Sequence, residues 1–288
     1  MLEKVLLCTD LSPPSDKLVQ FVASLGNVGV KEVILAHILS TGQHPALDLA
    51  VPENIIKKLE QQKRILENKG LQVSIEVSFG IPSAELKNLA EKKDVSAIVI
   101  GSHGKGIFKK LAIGSVSSEV LQNTSIPCLF IPIALVDTEE CYQLPCESLF
   151  SKILYCTDFS TAGKQSFIEL KKIGQERDLS VTILHVQDRS LVETYYWQKI
   201  DDVAEEIFEE LKQQKSELDD AGLKDVHIKL SYGFPKETII ERLQNEEYSL
   251  LLMGSQGKGY IEELFLGSVS YSVVRKSPVP VLLVPPKR

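Results

Sequence analysis

The chain contains itself twice. Lys4-Val-Leu-Leu-Cys-Thr-Asp-Leu-Ser12 reappears 148 residues later as Lys152-Ile-Leu-Tyr-Cys-Thr-Asp-Phe-Ser160. The offset holds without a gap to Val33-Ile-Leu-Ala-His37-Ile38, matched by Val181-Thr-Ile-Leu-His185-Val186. Further on it becomes 153: Phe79-Gly80-Ile81-Pro82 answers Tyr232-Gly233-Phe234-Pro235, and Gly114-Ser-Val-Ser117 answers Gly267-Ser-Val-Ser270. A period this long marks duplication of a whole domain rather than stacking of short solenoid units. The expected organisation is one domain over residues 1–133, a linker over 134–151 and a second domain over 152–288.

Within one copy, strand and helix patterns alternate. Val5 to Cys8 is a short apolar run, and Ser12-Pro13-Pro14 signals the start of a helix with Leu18, Phe21, Val22 and Leu25 on one face. Glu32 to Ile38 reads as a strand. Ile55, Leu59 and Leu66 mark a helix that stops at Gly70, and Val73, Ile75 and Val77 alternate as a strand. Pro82 opens a third helix, and Val95 to Ile100 is a continuous apolar strand of the kind buried on both faces. A glycine-rich loop, a short helix to about Asn123 and a last strand, Cys128 to Ile131, complete the copy. The second copy adds a long helix from about Leu191 to Asp220, whose acids Glu205, Glu206, Glu209 and Glu210 read as a solvated face. Alternating strands and helices demand right-handed parallel crossovers. The prediction is α/β: two tandem doubly wound domains, each a five-stranded parallel sheet in the order 3-2-1-4-5 with helices on both faces.

Composition narrows the partners. Thirty-two basic residues against 39 acidic ones leave a net charge of −7, which disfavours nucleic acid because the phosphate backbone repels an acidic surface. The apolar runs are strand-sized, far short of the ~20 residues of a membrane span. Met1 to Leu7 breaks at once into Cys-Thr-Asp and does not read as a signal peptide. The five cysteines, Cys8, Cys128, Cys141, Cys146 and Cys156, include no CxxC pair. A reducing, cytoplasmic setting is expected, with a Cys141–Cys146 pair in the linker as the weaker alternative.

In a 3-2-1-4-5 sheet the crevice lies beyond the carboxyl ends of strands 1 and 4. That brings Cys8-Thr9-Asp10 beside Gly101-Ser-His-Gly104, and Cys156-Thr157-Asp158 beside Gly254-Ser-Gln-Gly257. Gly101, Gly104 and Gly114-Ser115 are spaced G-x2-G-x9-G-S, as are Gly254, Gly257 and Gly267-Ser268. Glycines admit close backbone approach, and Gly114-Ser115 opens a helix whose unpaired N–H groups attract anions. Turn glycines with an N-cap serine would look the same in one copy. Two copies at one spacing, in a chain diverged elsewhere, favour a phosphate site. His37 and His185, at strand ends, read as structural. His103 could meet phosphate, but Gln256 replaces it in the second copy. Lys105 and Lys258 read equally well as phosphate partners and as solvated loop lysines.

These motifs, Thr-Asp-Leu-Ser and Thr-Asp-Phe-Ser, Ala-His-Ile and Leu-His-Val, and the two glycine loops, resemble the universal stress protein family over both halves. The loop spacing is that of the family's adenine-nucleotide-binding members. The resemblance implies AMP or ATP as ligand, with Mg²⁺ only as a companion of ATP phosphates. It implies that Thr9, Asp10, Thr157 and Asp158 belong to the nucleotide site, with Asp10 and Asp158 contacting the adenosine part, and that the backbone of Ile38 and Val186 recognises the adenine edge. Ile100, Gly101, His103, Gly104, Gly114, Ser115, Val116 and Ser117 would line ribose and phosphates, as would Met253, Gly254, Gln256, Gly257, Gly267, Ser268, Val269 and Ser270. The family often has proline two positions before the aspartate, where Cys8 and Cys156 stand here.

Three readings follow. One is a stress-response module that binds adenine nucleotide and acts as a sensor without rapid catalysis. The second is a slow ATP hydrolase or nucleotidyl-transferring enzyme. Against it, the sequence has no GxxxxGK[ST], HxGH or SGGxDS, and no second carboxylate beside Asp10 to hold a metal. No catalytic or metal-ligating residue is assigned. The third is a dimerisation module with an empty crevice. An intrachain pseudo-dimer through the last strands, Cys128 to Ile131 and Val281 to Val284, is expected, and a homodimer of the whole chain is left open.

Overall fold

The structure is a computed structural model and describes residues 2–40, 50–102, 113–132, 149–175, 177–188, 200–258 and 266–287. The chain divides into two compact units, Met1–Glu147 and Ser148–Arg288. The first carries strands β1 (Lys4–Cys8), β2 (Glu32–Leu39), β3 (Gln72–Phe79), β4 (Ala97–Gly101) and β5 (Cys128–Ile131). Its helices are α1 (Pro13–Ser24), α2 (Glu53–Glu67), α3 (Pro82–Lys92) and α4 (Ser115–Asn123). The second carries β6 (Lys152–Cys156), β7 (Ser180–Asp188), β8 (Asp225–Gly233), β9 (Leu250–Gly254) and β10 (Val281–Val284). Its helices are α5 (Thr161–Gly174), α6 (Ile200–Asp220), α7 (Pro235–Asn245) and α8 (Ser268–Lys276).

Every pairing within each unit is parallel, in the orders β3-β2-β1-β4-β5 and β8-β7-β6-β9-β10. This is the 3-2-1-4-5 order expected from the repeat, with helices on both faces. Cause and pattern agree strand by strand. The run Ala97 to Gly101 is buried at every position, as a central strand covered on both sides must be. The outer strands β3 and β8 are only partly buried, which is why their sequences alternate.

Helix ends follow local chemistry. Proline stands in the first turn of α1, α3 and α7, where the missing N–H costs nothing. Gly70 and Gly222 follow α2 and α6 with φ of 84° and 97°, a left-handed backbone that suits glycine alone among common residues. On α6, Leu211, Gln214 and Leu218 are buried while Glu205, Glu206, Glu209 and Glu210 face solvent, as expected. The part of that helix expected over 191–199 lies outside the described residues, as do Cys141 and Cys146. Leu149 and Phe150, placed at the end of the linker by sequence, are 4% and 3% exposed.

Candidate functional site

In each unit the first strand ends in the same turn. Thr9 N–H donates to the Ala36 carbonyl (3.0 Å), and Thr157 N–H to that of Leu184 (3.0 Å), so the turn starts hydrogen-bonded to the second strand. The threonine hydroxyl oxygen then accepts from the residue two on, Leu11 N–H (3.1 Å) or Phe159 N–H (3.0 Å). The aspartate repeats the step with Ser12 N–H (3.0 Å) and Ser160 N–H (3.1 Å). These two side chains hold Leu11 and Phe159 at φ of 60° and 59°, which neither residue favours unaided. Thr9 and Thr157 are therefore turn-builders, 6% and 5% exposed.

The free edge beyond the first strand can be read from the strand register. β1 pairs with β2 only as far as Cys8↔Ala36, and β6 with β7 only to Cys156↔Leu184. Along a strand, residues two apart present N–H and C=O to the same side. The Ala36 carbonyl faces the β1 side, so Ile38 presents its backbone there too, past the last β1 pairing. Val186 repeats this after Leu184. His37 and His185 stand beside these positions with Nδ1 2.8 Å and 2.9 Å from the carbonyls of Thr9 and Thr157. A carbonyl only accepts, so Nδ1 carries the proton and each ring ties the second strand to the turn, the structural role expected. Burial holds the His185 pKa below its usual value, and its ring stacks on Phe159 at 5.0 Å.

Beyond the fourth strand of each unit, a helix start is pinned to a strand end. Ser102 N–H donates to the Ile131 carbonyl (3.0 Å), and the Ser102 carbonyl accepts Gly114 N–H (2.8 Å). The second unit repeats it through Ser255, Val284 and Gly267, at 2.9 Å and 2.7 Å. Ser117 and Ser270 hydroxyls donate to the Gly101 and Gly254 carbonyls (2.8 and 2.9 Å), fastening the first helical turn to the strand. Among the described residues no side chain caps either helix: the N-caps are Gly114 and Gly267, and Ser115 and Ser268 are exposed. The first N–H groups of α4 and α8 have no partner within their own helices, and an anion is one group that would satisfy them.

The glycines divide into two kinds. A Cβ on Gly254 would come within 2.8 Å of the backbone of Ala162 and Gly163, so the first turn of α5 packs on it and requires glycine. A Cβ on Gly257 would stand 2.7 Å from Asp158 Oδ2. Gly114 and Gly267 differ. Their φ values are −59° and −69°, and added Cβ atoms would make only ordinary contacts, at 3.7 Å or more and 3.5 Å respectively. Among the described residues neither backbone conformation nor packing demands glycine at these N-caps, where serine, threonine, asparagine or aspartate would cap the helix better.

Of the expected site residues, Thr9, Asp10, Ile38, Ile100, Gly101, Gly114, Ser115, Val116 and Ser117 belong to β1, β2, β4, α4 and their adjoining turns. Thr157, Asp158, Val186, Met253, Gly254, Gln256, Gly257, Gly267, Ser268, Val269 and Ser270 occupy the matching places in the second unit. His103, Gly104 and Lys105 lie outside the described residues. Sequence reasoning missed Ser12, Ser15, Phe159 and Ser160, although the repeated Thr-Asp-x-Ser carried the signal for the two serines nearest the aspartates. Cys8, Cys128 and Cys156 are free thiols, as expected of apolar strands. Burial raises all three pKa values, that of Cys128 to about 12, so none is poised as a nucleophile. Among the described residues no group of three or more His, Cys, Asp or Glu is placed to hold a metal ion, and no helix is long and apolar enough to cross a membrane.

The sequence profile of the universal stress protein family matches residues 1–132 and again 149–285. The chain belongs to the universal stress protein family. Universal stress protein MJ0577 of Methanocaldococcus jannaschii is 30% identical over 155 residues, spanning 47% of this chain and 95% of that protein. Over its whole length the chain is similar to the crystal structure of a universal stress protein from Archaeoglobus fulgidus, with TM-score 0.69, 25% identity and coverage of 99% and 98% of the two chains. A functionally unknown protein, PA1789 of Pseudomonas aeruginosa PAO1, shares the fold alone (TM-score 0.61, 13% identity, 98% and 92% coverage). The two profile matches make this a tandem member, carrying two universal stress protein domains.

Proposed function

We propose that each domain binds an adenine nucleotide, AMP or ATP, and that the protein works as a stress-response sensor through occupancy of these sites. The observation that carries this reading is the start of α4 and of α8, where glycine stands as N-cap although, among the described residues, neither dihedrals nor packing require it. A phosphate approaching those amides needs the room that a side chain would take. Ser115, Val116, Ser268 and Val269 would supply N–H groups, and the serine hydroxyls would donate to phosphate oxygens. The backbone edges of Ile38 and Val186 offer a donor and an acceptor to the adenine ring. Asp10 would stand between, at the level of the sugar. Mg²⁺, where present, would travel with the ATP phosphates, and a nucleotide-dependent sensor of this kind suits the cytoplasm.

Mass spectrometry of small molecules released from the purified, heat-denatured protein tests the reading. AMP, ADP or ATP in amounts comparable to the protein is the expected result. Release of no adenine nucleotide, followed by failure to take any up at millimolar concentration, would remove it.

A further inference from the structure

Among the described residues the two aspartates differ in their hydroxyl partners. In the first unit the Asp10 carboxylate accepts hydrogen bonds from the Ser12 amide and from the hydroxyls of Ser12 and Ser15. The counterpart of Ser15 is Gly163, which has no hydroxyl. There Ser160 caps α5 instead, accepting from Gly163 N–H (3.2 Å), and its proton goes to the Gln256 carbonyl (3.1 Å). Asp158 Oδ2 is turned to the same segment and accepts from Lys258 N–H at 2.9 Å, across 100 residues of sequence. Gly257, between these two contacts, lies so near the carboxylate that even a methyl group would collide. The ammonium of Lys258 stands 5.7 Å over the Phe159 ring, a third contact from the same turn.

We propose that Asp158 is a positioning residue for the second glycine loop. Its carboxylate sets Gln256, Gly257 and Lys258 against the end of β6 before any ligand arrives. The physical reason is economy of ordering: a segment already fixed loses little conformational freedom when phosphate binds. The inference rests on the nucleotide reading above for its ligand. It replaces, for the second domain, the adenosine contact that family resemblance implies for this aspartate.

Hydrogen exchange on the full chain, resolved to peptides covering 254–258, separates the two roles. Without nucleotide, Asp158→Asn should raise exchange at Lys258 about tenfold, the worth of one hydrogen bond to a charged acceptor. Gly257→Ala, which crowds the loop off an intact carboxylate, should do the same. Titrations followed by protection of second-domain peptides should then show ATP affinity falling about tenfold in Asp158→Asn, with adenosine affinity unchanged. Unaltered exchange in both variants overturns the proposal. Equal losses for ATP and adenosine also overturn it, because they would make Asp158 a direct partner of the sugar. Absence of any ATP protection in the parent chain would defeat the nucleotide reading instead, and the exchange at Lys258 would still decide whether Asp158 holds the loop.

Discussion

The first and second domains share one backbone plan and differ in how a single turn spends its hydrogen bonds. Among the described residues, Asp10 accepts from the hydroxyls of Ser12 and Ser15, while Asp158 accepts from Lys258 N–H and the Ser160 hydroxyl donates to the Gln256 carbonyl. Ser15 in the first copy against Gly163 in the second accounts for one hydroxyl that reaches Asp10 and has no counterpart at Asp158. Duplication therefore preserved the scaffold that points main-chain groups into the crevice and let the side chains around it diverge. Two sites built alike need not bind alike.

The largest expected effect separates glycines that packing requires from those it does not. Gly254→Ala should cost about 3 kcal/mol, since its Cβ meets backbone rather than a side chain that could move. Gly267→Ala has compatible dihedrals and space, and should cost no more than about 1 kcal/mol, the loss of an N-cap that glycine fills better than alanine. Denaturant unfolding of the two variants checks the contrast, and similar losses in both would break it. Next in size, Gly114→Val and Gly267→Val should each weaken nucleotide binding in their own domain about a hundredfold. That is the cost of covering two amides that would bond a charged phosphate. Domain-resolved hydrogen exchange reads this out, and undiminished protection by ATP would show that the helix starts are not the phosphate sites.

Asp10→Ala should weaken binding in the first domain by about 2 kcal/mol, one charge-assisted hydrogen bond. The same titration measured on first-domain peptides decides it. If adenosine and ATP weaken equally here but not in the second domain, the two aspartates have separate jobs. The smallest effect concerns pH. His185 has its pKa lowered chiefly by burial, with the Lys258 charge adding to it and Asp158 opposing. The unfolded chain then binds the proton more readily than the folded one. Stability contributed by the neutral ring is complete above the ordinary value of 6.5 and is lost as pH falls toward the lowered folded value. Thermal melts between neutral and mildly acid pH should show this decline in the parent and a shallower one in His185→Gln.

Much of the fold and part of the site are legible in the order of the amino acids alone. The repeat exposes the domain count, the alternation of strand and helix implies the parallel sheet, and together they bring Asp10 toward Gly114 and Asp158 toward Gly267. The histidines read correctly as structural, because an imidazole at a buried strand end has a carbonyl within reach. What stays hidden depends on contacts between distant segments. Gly254 looks like its neighbours in sequence, and only the seating of Ala162 and Gly163 upon it shows a packing role. The bond from Lys258 to Asp158 is made by a backbone amide, which carries no residue signature at all.

Nucleotide at the helix starts is the central claim, and calorimetry on the nucleotide-free full chain tests it most directly. Titration with ATP, ADP and AMP should give saturable heat approaching two sites per chain, with Gly114→Val and Gly267→Val each removing one. No heat with any of the three, or heat untouched by both substitutions, would contradict it.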